Sequence, residues 1–493
     1  MGTVYKIHPA IGVARVGNHP SAFFVGPERV GSPGVELVAG DEKPIESYKL
    51  DGQIKRQAAR FRIFRFLQDD VGNLQLVGEV TADDAKIEWK VNLCNRKAAL
   101  NSTPAQGHPA RPRNQNIADR NRLIIQNPTP VVISGKDQAA KEFNGAFLEK
   151  PVYLGELRTD AKGRLLVLGG RGKSESVPPG ADLPSFANND LWHDDVADGP
   201  VTATVTLPGQ EPVTVHHPSW VMVGPPDFAP GVHAIVTLYD VAYQAACDKA
   251  ALQPEAKPSF QRHIKPLIER AAGLAWVSNY ARWKDLLSPD WIKLADTAGT
   301  SKQARTDVAK RLMDPGLRDF VMPDFMEKYL NQWAAGDFVS DLGAAAVEVP
   351  VPDQLDRAAL DSCVGNNFFP GIEASINLRD KDIYARPFRL DPTNLAKVYP
   401  GCLSEIMAVP WQADFMDCAG GVWWPSQRPD IAMVAAANIP GSKADWAEPI
   451  FDHQGMVDQY QQLGFIVPSR QGDKIVYAEA ERDPQLPRDV PVA

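Results

Sequence analysis

The chain has 493 residues, of which 44% are hydrophobic and 23% charged, with a formal net charge of -9 and a pI near 5.6. A chain of this length buries enough apolar surface to fold without disulfides or a structural metal. The acidic balance and the lack of a dense Lys/Arg block exclude nucleic acid as a partner. No apolar run approaches the length of a membrane span, so we expect no membrane insertion.

The amino-terminal sequence and the cysteines predict a cytoplasmic protein. The start, "MGTVYKIHPAIGVARVG", lacks the basic region and unbroken apolar run of a signal peptide. The cysteines lack C-x-x-C spacing, which argues against a disulfide framework or zinc knuckle and is typical of a reducing compartment. They are Cys94, Cys247, Cys363, Cys402 and Cys418. Later export of the finished protein is compatible with the same observations.

Residues 1–240 are predicted to form a β-rich region. "RFRIFRFLQ" and "IEWKVNL" alternate apolar and polar residues, and "VTATVTL" is rich in β-branched residues. "TDAKGRLLVLGG" has the pattern of a turn that leads into a strand. We expect a β-sandwich or an orthogonal β assembly.

Residues 241–346 are predicted to form a helical layer, and residues 347–493 a loop-rich catalytic region. "SFQRHIKPLIERAAGLAWV" has apolar residues at helical spacing, with Pro266 near a helix start or kink. "QARTDVAKRLM" and "FMEKYLNQWAAGDF" are typical of amphipathic helices. After residue 346 glycine and proline recur, and loops held by a rigid scaffold often carry function. The expected fold class is α+β, and the three regions could form one compact unit.

Common metal and nucleotide motifs are absent. His216 and His217 would point to opposite faces of a strand and could not easily share an ion, so we expect no metal. "VLGGRGKSES" lacks the spacing of a phosphate-binding loop and is interpreted as a glycine-rich turn after a strand. "WHDDVADG", which contains His193, has carboxylates that calcium would favour, but lacks an EF-hand ligand pattern. A capped, hydrogen-bonded turn is the favoured interpretation.

The stretch "PWQADFMDCAGGVWWPSQRPD" combines an acid, a thiol and two adjacent indoles. These are Asp414, Cys418, Trp423 and Trp424. From composition alone, a loop that is stabilised by its own buried tryptophans is the favoured interpretation. The stretch also belongs to a wider resemblance.

Segments along almost the whole chain resemble the quinoprotein amino-acid oxidase family, which includes lysine ε-oxidase and glycine oxidase. They include "IHPAIGVARVGN", "GQIKRQAARFRIF", "IEWKVNLCNRKAA", "LGELRTDAKGRLLVLGG", "WHDDVADGPVTATV", "WVMVGPPDFAP", "CVGNNFFPGIE" and the acid-thiol-indole stretch. The resemblance implies a cysteine tryptophylquinone, made from the enzyme's own side chains. By position, Cys418 and Trp424 would form it, Asp414 would be the essential acid and Trp423 would pack against the ring. No exogenous cofactor is implied.

A quinone supplies the electrophilic carbonyl and electron sink that a bare indole lacks. The implied reaction is oxidative deamination of a primary amine or amino acid, with O2 as acceptor and release of ammonia and H2O2. Asp414 would act as the base, because a carboxylate beside aromatic rings can have its pKa raised. The implied partner is a flavoprotein that helps to install the quinone, and a homo-oligomer is compatible with the sequence.

Several departures from the lysine oxidase pattern concern the substrate pocket. His193 stands where that enzyme has an active-site tyrosine, and Phe369 stands near a position where it has a cysteine. Only five residues separate Cys418 from Trp424, whereas the lysine oxidase has a long insertion there. Lysine therefore does not follow as the substrate. Two alternatives stay open: an amine dehydrogenase that passes electrons to a redox protein, and a non-catalytic binding protein that never forms the crosslink.

Overall fold

The structure is a computed structural model that describes residues 2–38, 40–101, 111–278, 281–316, 320–365, 374–417, 427–436, 439–471 and 474–487. The amino-terminal part is built from strands, as predicted. They are β1 (Gly2–His8), β2 (Ile11–Arg15), β3 (Phe23–Val25), β4 (Val35–Val38), β5 (Asp41–Pro44), β6 (Lys49–Leu50), β7 (Gln53–Ile54), β8 (Arg56–Gln68), β9 (Leu74–Val80), β10 (Lys86–Val91), β11 (Cys94–Asn95), β12 (Ile125–Gln126), β13 (Val131–Ser134), β14 (Lys141–Phe147), β15 (Lys150–Thr159), β16 (Leu165–Gly169), β17 (Glu175–Ser176), β18 (Trp192–His193), β19 (Asp198–Thr206), β20 (Val213–Thr214) and β21 (Ser219–Gly224).

The long strand β8 connects two groups of strands. Its carboxyl-terminal half pairs antiparallel with β1 and β9, and its amino-terminal half pairs with β3 and β16. A strand that changes partners in this way forms the corner between two sheets. The alternation that predicted this strand implies one buried face, whereas residues 56–61 are all buried, so both faces of the strand are covered there.

Strand β19 organises the second group, because it pairs with β10, β11, β20 and β21. Its first residue, Asp198, is fully buried and ties the sheet to a later part of the chain. The carboxylate accepts hydrogen bonds from Trp220 Nε1 at 2.8 Å and from the backbone N of Ser404 at 2.8 Å. Burial raises the pKa of this carboxyl above its usual value.

Helices follow the strands. They are α1 (Leu238–Asp248), α2 (Lys265–Gly273), α3 (Trp291–Ala295), α4 (Lys302–Met313), α5 (Asp324–Ala335) and α6 (Val351–Asp361), with a π-helical turn at Phe260–Ile264 and 3-10 turns at Leu274–Trp276, Ala281–Leu286 and Gly299–Ser301. Pro266 is the second residue of α2, which confirms the predicted helix start. Helices α4 and α5 contain the two predicted amphipathic stretches. Helix α5 ends at Gly336, whose φ of 91° suits glycine.

The last third contains short regular elements between its loops. They are α7 (Ser375–Leu378), β22 (Tyr384–Arg386), β23 (Arg389–Leu390), α8 (Trp411–Asp417), β24 (Ile431–Ala436), β25 (Ile439–Asp445), α9 (His453–Gln459), β26 (Phe465–Gln471) and β27 (Lys474–Ala480). One hydrophobic core contains residues of all three predicted regions, among them Trp89, Trp333 and Trp446. Whether residues 240 and 346 mark domain boundaries stays a prediction. Among the described residues, no helix is both long and apolar enough to span a membrane.

Candidate active site

The predicted acid, Asp414, lies on the short helix α8 and is fully buried. Two buried aromatic residues, Trp411 and Phe415, flank it on the same helix, with ring centroids 4.8 Å apart. The predictions for Cys418, Trp423, Trp424 and Phe369 fall outside the described residues. Helix α8 ends at Asp417, so it leads directly to the predicted cofactor cysteine.

Hydrogen bonds from distant parts of the chain fix the segment that leads into α8. Arg113 Nη1 donates to Glu405 O at 3.3 Å, Lys97 Nζ to Ala408 O at 2.9 Å and Asn189 Nδ2 to Val409 O at 3.0 Å. The first amide of the helix, Trp411 N, donates to Asp194 Oδ2 at 3.1 Å. A carboxylate at this end of a helix satisfies a free amide and complements the helix dipole.

The other end of α8 is held by the chain that follows the predicted cofactor residues. Arg428 Nε donates to Phe415 O at 2.5 Å, and Gln427 O accepts a hydrogen bond from Phe228 N at 3.0 Å. His453 Nε2 lies 2.9 Å from Asp417 Oδ2. Residues 427 and 428 therefore lie close to the helix that ends at residue 417.

The glycine-rich turn after β16 packs against α8. Ser174 Oγ donates to Gln412 Oε1 at 2.6 Å, and Gln412 Nε2 donates to Gly172 O at 3.1 Å. Gly172 has a φ of 70°, and a Cβ there would lie 1.8 Å from the phenolic oxygen of Tyr460. The predicted turn is confirmed, and its close contact with α8 was not foreseen.

His193 is buried in β18, and its ring lies 5.1 Å from that of Phe147. Neither ring nitrogen has a hydrogen-bond partner among the described residues. Burial lowers the pKa of His193, so the imidazole is held in its neutral form. The next residue, Asp194, is the one that contacts α8.

Two adjacent carboxyl groups, Asp194 and Asp195, have different environments. Asp194 faces the ammonium group of Lys97 at 2.8 Å, and both side chains are fully buried. Asp195 accepts a hydrogen bond from Lys173 N at 3.1 Å, while its Oδ1 has no partner among the described residues. Burial and the neighbouring Asp194 raise the pKa of Asp195 to about 7. Asp195 can therefore gain or lose a proton near neutral pH.

The predicted turn in "WHDDVADG" is confirmed, because Asp194 Oδ1 accepts a hydrogen bond from Val196 N at 3.2 Å. Sequence reasoning missed Lys97, which donates to Ala408 O before α8, and Gln412, which lies in α8 and binds the glycine-rich turn. A buried lysine must find an anionic or carbonyl partner, but no local pattern identifies Lys97 as buried. Within the described part of the chain, no group of three or more His, Cys, Asp and Glu residues could hold a metal ion.

Comparisons with known proteins identify the family of the chain. A family model described as "L-Lysine epsilon oxidase N-terminal" matches residues 8–223, and one described as "L-lysine epsilon oxidase C-terminal domain" matches residues 318–437. Together they span well over half of the chain. L-lysine 6-oxidase of Marinomonas mediterranea is 28% identical to the chain, over 84% of this chain and 71% of that protein.

The fold is shared with solved structures. The L-Lys ε-oxidase from Marinomonas mediterranea matches with a TM-score of 0.80 at 23% identity, covering 97% of this chain and 95% of that one. The structure of its Schiff base intermediate with L-Lys matches with the same TM-score at 22% identity, covering 98% and 95%. The family models and the relative L-lysine 6-oxidase give the class, that of oxidoreductases acting on CH–NH2 groups. The chain belongs to the L-lysine ε-oxidase family.

Proposed function

We propose that the protein oxidatively deaminates a primary amine or amino acid, using a cysteine tryptophylquinone made from Cys418 and Trp424. The observation that carries the proposal is Asp414, a fully buried carboxyl on a helix that ends one residue before Cys418. A buried acid at this point suits a base that must abstract a proton away from bulk water.

The described residues on either side of the proposed cofactor fit such a crosslink. Arg428 donates to Phe415 O at 2.5 Å, so the chain before Cys418 and the chain after Trp424 are held together. Closing a short segment between two ends that already lie close costs little entropy. The short spacing between Cys418 and Trp424 is therefore compatible with a thioether link.

The quinone would supply an electrophilic carbonyl and an electron sink for two electrons. Asp414 would take the proton from the substrate's α-carbon. The balanced overall change for an amine RCH2NH2 is its reaction with O2 and H2O to give RCHO, NH3 and H2O2. The buried rings of Trp411 and Phe415 on α8 would help to exclude water from the base.

The substrate class is a primary amine or amino acid, and lysine is only the first candidate. The named relatives act on L-lysine, but this chain has neutral His193 where the lysine oxidase resemblance implies a tyrosine. Differences of this kind in pocket contacts change selectivity by about 1–3 kcal/mol each. We therefore propose a screen of lysine, glycine and simple primary amines.

The first test is peptide mass spectrometry on protein coexpressed with its candidate maturation partner, a flavoprotein. Trypsin leaves Cys418 and Trp424 in one peptide, because no Lys or Arg separates them. Further cleavage with elastase after Val422 would release two fragments from an uncrosslinked chain. Fragments that stay joined and carry two added oxygens support the proposal. Separable, unmodified fragments in mature protein contradict it.

Peroxide release distinguishes an oxidase from a dehydrogenase. An oxidase produces H2O2 in step with ammonia in aerated buffer. A dehydrogenase with the same quinone produces ammonia only when an artificial electron acceptor is added. A binding protein shows neither product with any amine.

A further inference from the structure

Lys97 and Asp194 form an ion pair that contacts both sides of the start of α8. Lys97 Nζ lies 2.8 Å from Asp194 Oδ2 and donates to Ala408 O at 2.9 Å. The same oxygen of Asp194 accepts the first amide of α8, Trp411 N, at 3.1 Å. One buried pair thus holds the residues before the helix and the first residue within it.

Both members of the pair are themselves fixed in place. Asn95 Nδ2 donates to Asp194 Oδ1 and to Asp194 O, each at 2.9 Å, and Asn95 Oδ1 accepts from Lys97 N at 3.0 Å. Arg113 Nη1 donates to Lys97 O at 3.0 Å and also reaches Glu405 O at 3.3 Å. The positions of both side chains are therefore fixed by further buried hydrogen bonds, unlike those of an ion pair on the surface.

Overall stability is a weak explanation for such a pair. Both side chains are fully buried, and burial lowers the pKa of Lys97 against the opposing effect of Asp194. Desolvation largely cancels the attraction between buried charges, so a well-packed apolar pair would often be as stable. A better-supported use of a buried ion pair is to specify one arrangement of the chain.

What the pair specifies is the position of α8. Asp414 lies three residues after Trp411, about one helical turn, so its carboxyl moves with the start of the helix. A displacement of about 1 Å in a catalytic group can cost 100-fold in rate. We propose that Lys97 and Asp194 are positioning residues that set Asp414 for quinone formation and for deamination. This inference rests on the proposed function of Asp414.

The test compares the quinone content of folded protein among matched variants. The double variant Lys97→Met with Asp194→Asn removes both charges, and the asparagine keeps an oxygen that can accept Trp411 N. It avoids the unpaired buried charge that either single change would leave. Arg305→Met is the control, because Arg305 is also a buried cation that donates to backbone carbonyls, at Trp333 O and Ala298 O, within the helical layer.

Each variant is coexpressed with the flavoprotein, and the quinone absorbance is divided by the amount of folded protein from gel filtration. We expect the double variant to lose at least about 10-fold in quinone content or in turnover per quinone. The Arg305→Met variant should have a lower melting temperature, while its quinone content stays at the wild-type level. If the pair had only a structural role, the double variant would also have a lower melting temperature and wild-type quinone content.

The outcomes separate the two proposals. If wild-type protein carries the crosslink and the double variant matches it in quinone content and turnover, the positioning role is wrong and the proposed function stands. If mature wild-type protein carries no crosslink, both are overturned. If the double variant does not fold, Asn95→Ala serves instead, because it loosens Asp194 without leaving a charge unpaired. A fall in quinone content supports the role, and wild-type content overturns it.

Discussion

Gly172 and Tyr460 approach so closely that a Cβ on residue 172 would lie 1.8 Å from the phenolic oxygen. The contact joins the glycine-rich turn after β16 to the ring that stacks edge-on against Trp411, with centroids 4.8 Å apart. Gly172 also has a φ of 70°, which a side chain rarely tolerates. The turn is thus shaped to fit against α8.

The substitution Gly172→Ala should destabilise the protein strongly. The left-handed backbone alone costs about 1–2 kcal/mol, and the clash with Tyr460 adds to it. Thermal unfolding of the variant measures the loss. Adding Tyr460→Phe should recover part of it, because the nearest remaining ring atom would be 2.9 Å away. An Ala variant as stable as the wild type would contradict the geometry.

Asp414→Asn should abolish both the quinone absorbance and amine turnover, because asparagine cannot take a proton at neutral pH. The side chain keeps its size, so the fold should persist in circular dichroism and gel filtration. Asp458→Asn is the control, an exposed aspartate on α9 whose loss should change neither readout. Quinone and turnover at wild-type levels in the Asp414 variant would refute its role.

His193→Gln should change the substrate preference and leave quinone content intact. The ring nitrogens of His193 have no partner among the described residues, and its lowered pKa keeps it uncharged. If it faces the substrate, its replacement should shift KM by about 10-fold for the best amine, with a smaller change in kcat. Steady-state kinetics on several amines measures this. An unchanged KM for every amine would remove His193 from the pocket.

Asp195 should make stability depend on pH. Its pKa is raised to about 7 in the folded protein, so the folded state binds a proton that the unfolded state releases near pH 4. This proton contributes roughly 4 kcal/mol at most to the free energy of unfolding. The contribution is complete below about pH 4 and is lost as the pH rises through about 7.

The variant Asp195→Asn is permanently neutral and should remove this dependence. Its melting temperature should exceed that of the wild type at pH 8, and the difference should shrink toward pH 5. Thermal unfolding at the two pH values provides the comparison. If the melting temperatures of the two proteins differed by the same amount at pH 5 and pH 8, Asp195 would not titrate in this range.

Local sequence patterns determined much of the scaffold. Alternating apolar residues predicted β8 and β10, and helical spacing predicted α4 and α5. In β10 the alternation matches one buried face, whereas residues 56–61 of β8 are buried on both faces. Helix α6 was not predicted, because residues 347–493 were expected to be rich in loops. Pro350 lies just before the helix and Pro352 within its first turn, where a missing amide hydrogen costs nothing.

The sequence predicted some residues of the candidate site, and only the tertiary structure showed the others. Asp414, Cys418 and Trp424 were predicted from the resemblance to the family, because all three lie in one continuous stretch that can be recognised in the sequence. The support of Asp414 depends on Lys97 and Asp194, which lie hundreds of residues earlier in the chain. Their burial and their contact with α8 arise only when the β-rich layer and the last third pack into one core, and no local pattern encodes that contact.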